Sequence, residues 1–129
     1  MERLVYRSIA APDLESAAIF EIVETSARKN PSREITGFLI HDEGRFLQLV
    51  EGPSESLDDL LVDLGNDPRH SSIEVLERAE ASQRFFPNWR MKRLISFSSM
   101  PAVDELRSVL TAREGGPAVL ALVEDFLAA

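Results

Sequence analysis

Apolar and polar positions change their rhythm several times along the chain, and each change marks an element. "RLVYRSIA" (Arg3–Ala10) alternates and is rich in β-branched and aromatic residues, which predicts a first strand. After Pro12, suited to a helical first turn, Leu14, Ala18, Ile19, Ile22, Val23 and Ser26 recur at helical spacing. That helix is expected to close at "KNPS", because the residue before Pro31 is biased away from helix. "EITGFLI" and "RFLQLVE" flank "HDEG" and read as a hairpin. Leu57, Leu60, Leu61 and Leu64 mark a second amphipathic helix ending near Gly65. "SIEVLERAEA" (Ser72–Ala81) alternates as a fourth strand, and "RFFPNWRMKRLISF" leads through a proline-containing loop into a fifth.

The order β-α-β-β-α-β-β is the α+β, ferredoxin-like pattern with one strand added, which predicts a five-stranded mixed sheet. In that architecture two helices cover one face. Yet the third strand is apolar on both faces, with Phe46 and Val50 on one and Leu47 and Leu49 on the other. A second cover is therefore expected. The tail supplies it: Val103, Leu106, Val109 and Leu110, then Val119, Leu120, Val123, Phe126 and Leu127, form two amphipathic helices around "EGGP". The division is thus a sheet domain over residues 1–96 and a helical cap over 97–129.

Gln48 breaks this pattern, because its primary amide shares a face with Phe46 and Val50. A buried amide left unpaired costs about 1–3 kcal/mol per group, so protein or ligand must meet it. Tyr6 shares its face of the first strand with Leu4 and Ser8, and strands one and three are the central pair of a ferredoxin-like sheet. The two side chains meet if register and facing agree.

Composition narrows the chemistry. Over 129 residues the net charge is −8 with no long basic run, so the footprint of a nucleic-acid binder is missing, and anionic membranes are disfavoured. The absence of cysteine excludes disulfides, thiolate metal sites and thiol nucleophiles. With two histidines, His41 and His70, a histidine-rich metal site is not expected. "MERLVYRS" has no signal-peptide core and no run is long enough to span a bilayer, which makes a cytoplasmic protein the expectation. The common phosphate-loop, dinucleotide and nucleophile-elbow motifs are missing.

The remaining polar candidates each have an ordinary structural explanation. Ser26 and Asn30 continue the stripe of Ile22 at four-residue steps; they fit a capped helix end, or an amide offered to the edge of a planar heterocycle. "NDPRH" sets Asp67, Arg69 and His70 in what reads as a solvated helix-to-strand turn that could also hold phosphate or carbonyl oxygens. Trp89 and Met91 fall on one face of the fifth strand, where packing is the commoner role.

Taken in order, "LVYRS", "SARKN", "ITGFLI", "GRFLQLVEG", "NDPRH" and "FPNWRM" resemble the BLUF family, flavin-binding domains that sense blue light, from about Leu4 to Met91. The resemblance implies non-covalently bound FAD, its ring walled by Ile22 and Leu64, with Asn30 at the ring edge and Gln48 as the switching amide bonded to Tyr6. It also implies contacts from Asp67, Arg69 and His70, a secondary one from Ser26, and Phe46 lining the site. Trp89 and Met91 would couple Gln48 to the fifth strand. Lys29 stands where many members carry an asparagine. The function implied is a photosensory module, not an enzyme, acting on a second copy or a separate downstream protein. Two other readings are a small flavin-dependent redox protein working in the dark, and a ligand-free ferredoxin-like interaction module.

Overall fold

A computed structural model describes residues 1–10, 34–42, 44–66, 70–87, 92–95 and 100–128. Strands β1 (Glu2–Ala10), β2 (Thr36–Asp42), β3 (Arg45–Gly52) and β4 (His70–Glu80) pair antiparallel in the order β4-β1-β3-β2. The short β5 (Lys92–Ile95) pairs in parallel with β2 at the edge of the sheet. Helix α1 (Ser54–Gly65) follows β3, and α2 (Met100–Thr111) and α3 (Gly116–Ala128) close the chain. The helix expected between Pro12 and "KNPS" lies outside the described residues. No helix among the described residues is long and apolar enough to cross a membrane.

Two apolar clusters explain why β3 is buried on both faces. On one face Leu4, Tyr6, Ile35, Leu39, Phe46 and Val50 pack with Leu57 and Leu60 of α1. On the other, Val5, Phe38, Ile40, Leu47 and Leu49 pack with Leu106, Leu110, Val119, Val123 and Phe126 of α2 and α3, and with Phe85 and Phe86. The tail helices therefore cover the second face, as the two-sided apolar pattern requires. Arg45 of β3 fastens the end of α3: its Nη2 donates to the Phe126 carbonyl at 3.1 Å, and its guanidinium lies 4.5 Å from that ring's centroid.

β4 departs from simple alternation. Its pairing with β1 slips between Val5 and Tyr6 and again between Arg7 and Ile9, each time with one extra residue on β4. The second slip includes Ser72, whose φ of 54° is left-handed. Such bulges bend and twist an edge strand, which discourages pairing with other chains. The strand also begins earlier than Ser72: His70 already pairs with Ala10, so its backbone opens β4 and does not belong to the preceding turn.

Gly37 marks a close approach within the sheet. Its φ is 153°, and a Cβ there would lie 1.9 Å from the Leu49 carbonyl oxygen. Gly37→Ala is expected to lower unfolding free energy by about 1–3 kcal/mol, because backbone must move to admit the methyl group. Urea unfolding with an unchanged midpoint would contradict this.

Candidate functional site

The β1–β3 ladder sets Tyr6 directly opposite Gln48. Both side chains project to the face covered by α1, and both are buried, at 2% and 4% exposure. Tyr6 Oη donates a hydrogen bond to Gln48 Oε1. The register that the sequence left open thus joins the two polar groups, and the phenol answers part of the amide's demand. Among the described residues the apolar cluster on this face comprises Leu4, Leu39, Phe46 and Val50 from the strands and Leu57 and Leu60 from α1, with Leu61 and Leu64 packed at the margin.

This donor set suits a planar, mostly apolar ring with polar edge atoms. Aliphatic side chains wall such a ring without demanding hydrogen bonds, and an amide beside a phenol can present either hydrogen-bond sign to its edge. Of the other expected site residues, Phe46 is buried beside Gln48 and Leu64 is half-buried against the same cluster. His70 sits in β4 through its backbone pairing. Ile22, Ser26, Asn30, Asp67, Arg69, Trp89 and Met91 lie outside the described residues.

Behind this site, on the opposite face, lies a polar cluster that alternation alone did not single out. Glu51 is wholly buried. Its Oε1 accepts from the Phe85 N–H at 2.6 Å, and its Oε2 from the Phe86 N–H at 3.1 Å and from Thr36 Oγ1 at 3.4 Å. Arg84 clamps the same corner, donating to Thr36 Oγ1 at 2.9 Å, to the Glu51 carbonyl at 2.7 Å and to the Glu34 carbonyl at 2.6 Å. Arg3, paired with Glu51 across the ladder, lays its guanidinium 3.7 Å from the centroid of the Phe85 ring. The one sequence signal for this cluster was an acid sharing the face of Leu47 and Leu49.

Burial raises the Glu51 carboxyl above its ordinary value, opposed by the Phe85 and Phe86 N–H bonds and by the charges of Arg3 and Arg84. Glu51→Gln removes one of two acceptors facing adjacent buried N–H groups and is expected to cost about 1–3 kcal/mol. Because the folded-state pKa is the higher one, the carboxyl's stabilising contribution is complete below the unfolded value. It declines as pH rises through the folded value. The stability gap between wild type and Glu51→Gln, measured by urea unfolding, should therefore narrow as pH climbs from about 4 toward neutrality. A gap that widens would contradict this assignment.

Residues 1–92 match the family described as BLUF, sensors of blue-light using FAD. The chain is 32% identical over 85 residues to photoactivated adenylate cyclase subunit beta of Euglena gracilis, covering 66% of this chain and 10% of that protein. It is 35% identical over 83 residues to the blue light- and temperature-regulated antirepressor BluF of Escherichia coli, covering 64% of this chain and 21% of that one. The chain therefore spans only a small part of the length of these curated relatives. Among solved structures, the BLUF protein BlrB in its dark state superposes with a TM-score of 0.70 at 32% identity, covering 73% of this chain and 71% of that chain. Klebsiella pneumoniae BlrP1, in a complex with calcium and cyclic diGMP, superposes with a TM-score of 0.80 at 26% identity. That superposition covers 96% of this chain and 34% of the other, so it extends into the tail helices.

Proposed function

Because the chain belongs to the BLUF family of blue-light sensors using FAD, we propose that it binds FAD on the α1 face of the sheet and reports blue light by rearranging the Tyr6–Gln48 hydrogen bond. The observation that carries this reading is the buried bond from Tyr6 Oη to Gln48 Oε1. When bound, FAD supplies absorption in the blue and an excited state able to oxidise a neighbouring phenol.

Tyr6 is the residue placed to respond. Its Oη holds a proton on Gln48 Oε1, and a phenol that loses an electron readily releases such a proton along an existing hydrogen bond. Gln48 supplies the memory. An amide has an acceptor at one end and a donor at the other, so turning it over replaces the acceptor facing Tyr6 with a donor and reverses the pattern presented to its other neighbours. Two arrangements of one side chain then differ by a few hydrogen bonds, and light shifts the population between them.

The same reading assigns Ile22 and Leu64 to the walls of the ring and Asn30 to its edge, with Phe46 lining the site. Asp67, Arg69 and His70 serve the pyrimidine and ribityl side, with Ser26 as a further polar contact. Trp89 and Met91 couple Gln48 to β5. The ladder order β4-β1-β3-β2, antiparallel throughout, supports a ferredoxin-like arrangement completed by a helix before β2. The sheet, over residues 1–96, is the sensor. The helices of residues 97–129 form its cap, and the module acts without catalysis, in the cytoplasm, through a second copy or a downstream protein. That photoactivated cyclases and a light-regulated antirepressor are among the relatives supports such an output.

The test is an absorption spectrum of the purified, FAD-loaded protein before and after blue illumination, repeated with Tyr6→Phe and Gln48→Leu. A reversible red shift in the wild type, abolished by either substitution, is expected. A wild-type spectrum unchanged by light, or a shift of full size in both variants, would overturn the proposal.

A further inference from the structure

The β1–β3 ladder carries two polar pairs. Tyr6 faces Gln48 on the α1 side, and three residues along, Arg3 faces Glu51 on the reverse side. The first pair is hydrogen-bonded. The second is not: Arg3 Nε lies 3.9 Å from Glu51 Oε1, and this buried N–H has no acceptor in range among the described residues. The other carboxylate nearby, Glu77 Oε1, is also 3.9 Å away, from Arg3 Nη1.

This arrangement has a close alternative. A movement of about 1 Å would bring Arg3 Nε into hydrogen-bond range of Oε1. That oxygen already accepts the Phe85 N–H at 2.6 Å, and the Phe85 ring lies under the Arg3 guanidinium. Drawing Oε1 toward Arg3 draws it away from Phe85, so one contact strengthens as the other weakens. The turn between α2 and α3 adjoins both groups: a Cβ on Gly115 would lie 3.6 Å from Arg3 Nη1 and 4.0 Å from the Phe85 ring.

We infer that Arg3 and Glu51 form a second two-state contact on the reverse face of the ladder, open as seen here and closed after light rearranges Tyr6–Gln48, which passes the change to the 85–86 backbone and the α2–α3 turn. Glu51 is then a positioning residue that never touches the flavin. The inference rests on the photoswitch reading, since it takes the Tyr6–Gln48 change as its input. What it adds is a path: a slight displacement of β3 against β1 moves both pairs, because one set of backbone hydrogen bonds holds them. Two discrete arrangements biased by a distant site are the physical requirement for such coupling.

The experiment is hydrogen exchange of the full chain loaded with FAD, dark and under continuous blue light, read at Phe85, Phe86 and Gly115, with the flavin spectrum recorded on the same samples. In the wild type these amides should exchange several-fold faster in the light. In Arg3→Met and Glu51→Gln the light-to-dark ratio should fall to about one while the red shift persists. A wild-type ratio retained in Arg3→Met overturns the inference, as does a wild type that shows the red shift with no change at these amides. The second comparison needs no variant, so a substitution that prevents folding does not rescue the idea. A wild type without a red shift instead fails at the photoswitch reading, and the inference falls with it.

Discussion

A strand buried on both faces is the constraint from which the rest follows. β3 is covered by α1 on one side and by the tail helices on the other, so every polar side chain on it must find a partner inside the protein or in a bound ligand. Gln48 and Glu51 are such side chains, and they point in opposite directions. One meets a phenol beside Leu4, Leu39, Phe46 and Val50. The other meets two backbone amides and the charges of Arg3 and Arg84. The proposed photoswitch and a structural anchor thus share a single strand, back to back.

The two environments favour different behaviour. Around Tyr6 and Gln48 the described neighbours include Leu4, Leu39, Phe46 and Val50, aliphatic and aromatic side chains that ask for no hydrogen bonds of their own. Around Glu51 the neighbours are fixed donors, and the 84–86 segment is held by several of them at once. On the proposed reading Gln48 takes the input, and Glu51, bonded to the Phe85 and Phe86 N–H groups with Arg3 Nε 3.9 Å from its Oε1, passes it on. The tail helices rest on the Glu51 side of the sheet, with Arg45 fastening α3 to the same strand.

Much of this was legible in the order of residues. The double-faced apolar pattern of "FLQLV" required covers on both sides, and the tail's helical stripes identified the second one. Strand order made Tyr6 and Gln48 candidates to meet if register and facing agreed, and the structure supplies the register that makes them opposite neighbours. β4 was harder to read. Its two bulges depend on how it pairs with β1, a tertiary matter invisible in the alternation of "SIEVLERAEA", and for the same reason His70 reads as a turn when it begins a strand. Glu51 was harder still. Its partners are backbone N–H groups some 34 and 35 positions away, and no side-chain motif announces a backbone donor. Near the end of a strand and just before "GP", an acid looks like solvent-facing punctuation.

Tyr6 is the protein's sole tyrosine, so a label on its ring carbon reports on one site without assignment. The most direct measurement is the carbon-13 resonance of the labelled tyrosine Cζ in the FAD-loaded protein, recorded in the dark, under blue light and after return to darkness. Replacing the acceptor opposite the phenol should move this resonance under illumination and restore it in the dark, in step with the flavin absorbance. A resonance that stays fixed while the absorbance change saturates would show that the contact between Tyr6 and Gln48 is not what light alters.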